Sequence, residues 1–223
     1  MGQHLDKEHR RLQLMEAALS AFGKKGYHDT QVSDIIAQAK VARGTFYLYF
    51  DGKREIFTAI IAKIFGDLAQ QIQALPLHAV EEIPRQILGN LRRVTALLLK
   101  NPLYIKLVFS DAVGLDSEFD TQIRQFYELI LDYVRRGLKQ GQKMGFVREA
   151  DIHVLAVAVL GGVKEVFYQY VLGTERPSAG EIEREIYTFV INGIISPALR
   201  PHVQNILKTL DEESQGTTRK SSK

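Results

Sequence analysis

Apolar residues recur with helical spacing along most of the chain. In the first segment they stand at i, i+3, i+7 and i+10: Leu12, Met15, Leu19 and Phe22. This spacing places them on one face of a helix with 3.6 residues per turn. Because Gly26 is a typical helix stop, the pattern predicts a helix over residues 7–25.

The same spacing, interrupted by glycine, proline and polar turn residues, predicts nine further helices. They span 31–39, 42–49, 53–74, 81–100, 102–112, 117–143, 151–172, 179–196 and 198–210. Thr30 is expected to cap the second of the ten. The fold class is therefore expected to be all-α, and the polar segment 211–223 is expected to be disordered.

Residues 43–50, RGTFYLYF, allow a second interpretation. They favour a β-strand and nearly match an RNA-recognition signature in which aromatic side chains on a sheet stack on bases. The match fails at two positions. Thr45 stands where the signature needs an aromatic residue, and Phe46 stands where it needs Gly or Ala.

A helix explains the same residues better. Phe46 and Phe50 are four residues apart and would share one face that packs on the core, while Arg43 and Tyr47 would share a second, outward face. The flanking segments are also helical in pattern. Two short helices joined by a tight turn and braced by a third form a helix-turn-helix, which is typical of DNA-binding proteins.

The segment TQVSDIIAQAKVARGTFYLYFDGKREIF resembles the DNA-binding signature of the tetracycline-repressor (TetR) family of bacterial transcription regulators. The matching residues are Thr30, Ile35 or Ile36, Ala39, Val41, Gly44, Phe46, Tyr47, Tyr49, Phe50, Lys53 and Ile56. The resemblance implies a helix-turn-helix DNA-binding domain over 1–52 and a helical effector-binding and dimerisation domain over 53–210. Two residues depart from the family pattern: Lys40 replaces a turn glycine, and Ala42 replaces a capping serine. Lys40 is therefore expected to adopt a left-handed conformation.

These considerations predict a set of DNA contacts. The set comprises Thr30, Lys40, Arg43, Gly44, Thr45, Tyr47, Leu48, Tyr49 and Lys53. Arg43 is the expected base reader, because a guanidinium pairs with guanine O6 and N7. The resemblance implies that Tyr47 and Tyr49 donate their hydroxyls to phosphates. Packing alone would also explain the tyrosines, and capping alone would explain Thr30.

Charge supports a polyanionic partner for the N-terminal quarter. Residues 1–54 contain nine Lys or Arg and six acidic residues, an excess that equals the whole chain's net charge of +3. A solvated basic face would show the same excess, so charge alone leaves both interpretations open.

The C-terminal helices are expected to form a dimer and to bind an effector. The predicted dimer residues are Ala156, Val159, Gly162, Val163, Ile182, Ile186, Phe189, Val190 and Gly193. The predicted pocket residues are Leu91, Thr95, Leu98, Tyr104, Phe109, Phe126, Tyr127, Ile130, Phe167 and Tyr168. An intramolecular core would explain either set. The resemblance implies a homodimer and a small organic effector, which an apolar lining would make amphipathic or lipid-like.

Other function classes find little support in the sequence. The chain has no cysteine, its six histidines are scattered, and it carries no phosphate loop or nucleophile elbow. We therefore expect no enzymatic activity, cofactor or metal. The longest apolar run, residues 154–163, stops at Lys164 and Glu165, so we expect a cytoplasmic protein without a membrane partner.

The sequence predicts a ligand-responsive transcriptional repressor that binds a palindromic operator as a dimer. The alternative is a helical protein that binds RNA, or DNA without sequence preference, and has no effector.

Overall fold

The computed structural model describes residues 2–76, 82–108, 117–172 and 177–200. These residues form nine α-helices and no β-strand, apart from an isolated antiparallel bridge between Val147 and Ile195. The predicted all-α fold class is confirmed.

The helices follow one another in the predicted order. They are α1 (Gly2–Asp29), α2 (Val32–Ala39), α3 (Arg43–Tyr47), α4 (Lys53–Gln71), α5 (Ile83–Lys100), α6 (Pro102–Lys106), α7 (Ser117–Lys143), α8 (Ile152–Leu172) and α9 (Ala179–Ile194). A 3₁₀ turn, Pro197–Leu199, follows α9. The predicted helix over 198–210 lies mostly outside the described residues, as does the whole of the predicted disordered tail.

The chain forms two compact units. The first comprises Met1–Ile72, Ala96–Glu128 and Val166–Arg176, and the second comprises Gln73–Thr95, Leu129–Glu165 and Pro177–Lys223. The domain division at residues 52 and 53 stays a prediction.

An aromatic cluster forms the core of the first unit. Phe22, Phe46, Phe50 and Phe57 are at most 1% exposed. The rings of Phe22 and Phe57 meet edge to face, with centroids 5.2 Å apart, so α1 and α4 pack directly on each other.

The predicted stop at Gly26 appears as a break within α1. Gly26 has φ 79° and ψ 166°, a conformation that side chains with a Cβ rarely adopt, and a last short turn continues to Asp29.

The cap of α2 differs from the prediction. Gln31, with extended backbone angles, is the N-cap, and its N–H donates to Asp34 Oδ2 at 2.9 Å. Thr30 is buried instead, and its hydroxyl donates to the Gly26 carbonyl at 2.6 Å. Thr30 is the better cap by type, but its hydroxyl is used at the broken end of α1, and the cap position falls on Gln31. A hydrogen bond from Lys25 lowers the pKa of Asp34.

In the second unit, α5, α7, α8 and α9 contribute most of the buried apolar side chains. Helix α9 begins with a reciprocal cap: the Ser178 N–H donates to Glu181 Oε2 at 2.7 Å, and the Glu181 N–H donates to Ser178 Oγ at 3.3 Å. These bonds satisfy donors that the first turn of a helix leaves open.

Helix α8 is more continuous in its apolar character than the sequence analysis expected. Within the described residues, Ile152–Tyr170 is the one stretch long and apolar enough to cross a membrane by length and composition. Lys164 and Glu165 lie inside this window and do not end it.

We predict that Lys40→Gly stabilises the protein. Lys40 ends α2 in the left-handed conformation, with φ 53° and ψ 46°, as its place at the family's turn glycine predicts. Glycine adopts this conformation without steric cost, so the free energy of unfolding should rise by about 1 kcal/mol in urea denaturation. Lys40→Ala removes the same charge but keeps the backbone penalty. Equal stability of the two variants would contradict this explanation.

Candidate nucleic-acid interface

Helix α3 has one face in the core and one face in solvent. Phe46 and Phe50 are 0% and 1% exposed, whereas Leu48 is 77% exposed. Arg43 and Gly44 are also exposed. The Phe50 N–H donates to the Phe46 carbonyl at 3.1 Å, so the helical turn extends beyond the last residue of α3. The helical interpretation of residues 43–50 is confirmed.

Helix α1 braces the turn that positions α3. Gln13 Nε2 donates to the Ala39 carbonyl at 3.0 Å, at the last residue of α2. The Arg11 guanidinium lies 5.2 Å from the centroid of the Phe50 ring, just beyond α3. Two side chains of one helix thus contact both sides of the helix-turn-helix.

Arg43 and Tyr47 form a pair on the outward face. The guanidinium carbon lies 5.8 Å from the centroid of the Tyr47 ring, one helical turn away. A cation–π contact of this length holds the charge beside the ring without using its hydrogen-bond donors. The pair therefore presents guanidinium N–H groups and a phenol hydroxyl on the same surface.

Gly44 is not required by the protein's own packing. A Cβ built at this position meets no atom within 4 Å. Glycine inside a helix costs about 1 kcal/mol relative to alanine. Because no neighbouring side chain fills the space, the surface here is open to close approach by a partner.

A cleft of about 560 Å³ lies along α2 and the start of α3. It is lined by Gln31, Val32, Ser33, Ile36, Ala37, Lys40, Val41 and Arg43. Lys40 and Arg43 bring positive charge to it, and Gln31 and Ser33 add amide and hydroxyl groups. Gln31 and Ser33 were not among the residues predicted from the sequence; their polar character at the start of α2 was the available signal.

The remaining predicted DNA contacts are less accessible. Thr45 and Tyr49 are half-buried. Thr30 is 1% exposed, which contradicts a DNA contact by its side chain. The Lys53 ammonium donates to the carbonyls of Tyr27 and His28, at 2.8 and 3.1 Å.

The predicted effector-pocket residues divide between the two units. In the first unit, Leu98, Tyr104 and Phe167 are buried, and Phe126, Tyr127 and Tyr168 are half-buried. In the second unit, Thr95 is buried, and Leu91 and Ile130 are half-buried. Phe109 lies outside the described residues.

Polar groups among these residues are strongly desolvated. Burial raises the pKa of Tyr127 and, with a hydrogen bond to Asp67, that of Tyr104. The Phe126 ring stacks on Phe65, with centroids 3.7 Å apart. Thr95 Oγ1 is buried without a hydrogen-bond partner. Buried hydroxyls in aromatic surroundings are compatible both with a packed core and with an apolar ligand site.

Four predicted dimer residues lie in the interior of the chain itself. Ala156, Ile182, Ile186 and Val190 are at most 8% exposed, which contradicts their assignment to an intermolecular surface. Val159, Gly162 and Val163 are half-buried, and Phe189 and Gly193 are exposed. The reason is that α8 and α9 carry apolar residues on more than one helical face, and the fold buries one face of each helix.

Within the described residues, no three His, Cys, Asp or Glu side chains come together as a set that could hold a metal ion.

Comparison with known proteins agrees with this arrangement. Residues 14–60, which span α1 to the first turns of α4, match the family described as "Bacterial regulatory proteins, tetR family". The "Fatty acid metabolism regulator protein" of Bacillus subtilis is 22% identical over 195 residues, 84% of this chain and 97% of that protein.

Two solved structures share the fold. FadR from Bacillus subtilis in complex with stearoyl-CoA has a TM-score of 0.67 and 20% identity, and the match covers 82% of this chain and 98% of that one. AibR in complex with isovaleryl coenzyme A and operator DNA has a TM-score of 0.65 and 18% identity, covering 81% and 97%. Over residues 14–60, the chain thus carries the helix-turn-helix domain of the TetR family of bacterial regulatory proteins.

Proposed function

We propose that this protein is a ligand-responsive repressor that binds a palindromic operator as a homodimer. The observation that carries the proposal is the orientation of α3, which buries Phe46 and Phe50 and leaves Arg43, Gly44 and Leu48 exposed. A strand that stacks aromatic residues on RNA would need these phenylalanines at the surface.

On DNA, α3 enters the major groove with its outward face toward the bases. Arg43 pairs with guanine O6 and N7, while Leu48 contacts apolar base surface such as a thymine methyl. The missing side chain of Gly44 lets the helix backbone approach the duplex closely. Lys40 and the Tyr47 hydroxyl contact phosphates, which position the helix without reading sequence.

One helix-turn-helix contacts few bases, because α3 spans only Arg43–Tyr47. Useful specificity therefore requires two helix-turn-helix units, one on each half-site of the operator. Helix-turn-helix dimers bind half-sites about 34 Å apart.

The dimer surface lies on exposed apolar side chains of α8 and α9. Val154 and Val157 are 63% and 46% exposed, and Phe189 is 68% exposed. The Phe189 ring lies 3.7 Å from a Cβ built at Gly162, so it covers a helix backbone that has no side chain at that point. An apolar surface of this kind on a soluble regulator is best explained by a second copy of the chain.

The effector is proposed to be an acyl-coenzyme A thioester. The support comes from the similar proteins that were solved with stearoyl-CoA and isovaleryl coenzyme A, and from the aromatic residues of the first unit. Its acyl chain would occupy apolar surroundings, and its polar part would remain near solvent.

Helix α6 links the predicted effector region to the DNA-binding helices within the first unit. The Tyr104 hydroxyl donates to Asp67 Oδ2 on α4 at 2.8 Å, and Lys106 Nζ donates to the Gly23 carbonyl on α1 at 2.6 Å. A Cβ at Gly23 would stand 2.5 Å from the Leu103 side chain, so α1 and α6 are in close contact. A ligand that displaces α6 would therefore change how α1 and α4 hold α3. By linkage, operator DNA weakens effector binding by the same factor.

We predict that Arg43→Ala relaxes specificity at one base position in each half-site. The operator would first be isolated by selection from random duplexes and then varied base by base in fluorescence-anisotropy titrations. Loss of one bidentate contact should reduce discrimination at that position by about 1–3 kcal/mol. Tyr47→Phe is the matched control, because losing a phosphate contact should weaken binding to all sequences alike. Uniform weakening by Arg43→Ala would contradict base reading.

We predict that Phe189→Asp converts the dimer to a monomer. A buried carboxylate in place of a central ring should raise the dimer dissociation constant at least about 30-fold, the equivalent of a 2 kcal/mol hot spot. Sedimentation equilibrium measures this constant. The control is Leu129→Asp, which removes a 70% exposed apolar side chain from α7. An unchanged dimer in Phe189→Asp would place the interface elsewhere.

We predict that a long-chain acyl-CoA stabilises the free protein and weakens its operator binding. At 100 times the dissociation constant, one bound ligand adds about 2.7 kcal/mol to the free energy of unfolding. Thermal shift should be measured with a series of acyl chain lengths and with coenzyme A alone as control. An acyl-CoA that stabilises the protein but leaves operator affinity unchanged would contradict its role as the releasing effector.

A further inference from the structure

Beyond the break at Gly26, the end of α1 contains carbonyl groups whose hydrogen-bond partners come from another part of the chain. Carbonyl groups in the last turn of any helix lack partners within the helix. Here the break adds a change of direction just before that turn. The carbonyls of Tyr27 and His28 receive their hydrogen bonds from one residue that lies 26 and 25 positions farther along the chain.

That residue is Lys53, the first residue of α4. Its ammonium lies 2.8 Å from the Tyr27 oxygen and 3.1 Å from the His28 oxygen. It also lies 4.4 Å from the centroid of the Tyr27 ring. A lysine ammonium has three N–H donors, and two of them are used by these carbonyls. We call this set of contacts the α1–α4 latch.

Both ends of the latch are anchored in the core. The Tyr27 ring packs against Phe57 of α4 and Phe22 of α1, with centroids 4.6 and 5.7 Å away. Since Phe22 and Phe57 are fully buried, the ring beneath the ammonium is fixed on two sides. The latch therefore ties the end of α1 to the beginning of α4 at the point where the chain leaves α3.

We propose that Lys53 acts as a positioning residue and not as a phosphate contact. The sequence predicts a DNA contact at this position, but the ammonium is directed to two carbonyls and a ring of its own protein. The proposal rests on the proposed DNA-binding function. The latch holds α1 and α4 in the arrangement that presents α3, and its loss lowers the population of that arrangement.

The dependence of operator affinity on salt separates the two roles. A lysine that neutralises a phosphate contributes to the release of counterions from DNA, so removing it reduces the slope of log K against log salt by about 0.9 per contact. A dimer would lose about 1.8. A positioning residue leaves the slope unchanged, because the same phosphates are contacted in the bound state.

The experiment compares Lys53→Met with Arg54→Met, which removes the same charge from the next position of α4. Operator affinity of each full-length variant is measured over a range of salt concentrations, with the active fraction fixed by stoichiometric titration. We expect Lys53→Met to weaken binding at least about tenfold, as for the loss of one charge-assisted hydrogen bond. Its salt slope should equal that of Arg54→Met. A slope reduced by a further 1.8 would overturn the proposal in favour of phosphate contact. Unchanged affinity would also overturn it.

A double-mutant cycle tests whether Tyr27 and Lys53 act as one unit. Tyr27→Leu takes away the ring beneath the ammonium, so it should weaken operator binding, and its effect should not add to that of Lys53→Met. Full additivity would contradict a shared latch. Lys53→Arg keeps the charge and its donors and should recover most of the affinity.

Two further measurements separate failure of this inference from failure of the proposed function. Wild-type selectivity for its operator over bulk competitor DNA is established first, and its absence would refute the function itself. In the free protein, amide hydrogens of residues 53–58 should exchange faster in Lys53→Met than in wild type. Equal exchange would refute the latch even if DNA binding is normal.

Discussion

Burial of two phenylalanines beneath a very short helix determines what this protein presents to a partner. Helix α3 contains five residues, far fewer than a helix needs to persist alone in water. Its conformation therefore depends on Phe46 and Phe50, each worth about 1.5–3 kcal/mol when fully buried. With this face fixed, helical geometry directs Arg43 and Leu48 outward.

Other contacts fix α3 against α1 and α4, neither of which carries a residue proposed to read bases. Gln13 and Arg11 of α1 contact the end of α2 and the ring just beyond α3, and Lys53 of α4 returns to the end of α1. In the same unit, α6 contacts α1 through Lys106 and α4 through Tyr104. The residues that would read DNA and those that would sense a ligand thus share two supporting helices, which is the physical requirement for coupling between sites.

The parts predicted best from sequence are those set by local rules. Apolar spacing predicted the helices and the two faces of α3, and the departure at Lys40 predicted a left-handed residue, because each depends on neighbours along the chain. The cap of α2 was assigned wrongly because Thr30, the better cap by type, hydrogen-bonds the broken end of α1. In α8 and α9, apolar residues occur on several faces, so the sequence could not show that Ile182 faces inward and Phe189 outward.

Contacts between distant parts of the chain could not be predicted from the sequence either. The hydrogen bonds of Lys53 join residues 25 and 26 positions apart, and no local pattern indicates which carbonyls a lysine will find. The partners of Tyr104 and Lys106 are likewise defined only once the helices pack.

The central claim, that α3 lies in the major groove, is tested most directly by dimethyl sulfate protection of the selected operator. This reagent methylates guanine N7 in the major groove and adenine N3 in the minor groove. The account predicts protection of guanine N7 in two major-groove segments about 10 base pairs apart, or a multiple of that spacing, with adenine N3 still reactive. Protection of adenine N3 alone, or no protection of guanine at saturating protein, would contradict it.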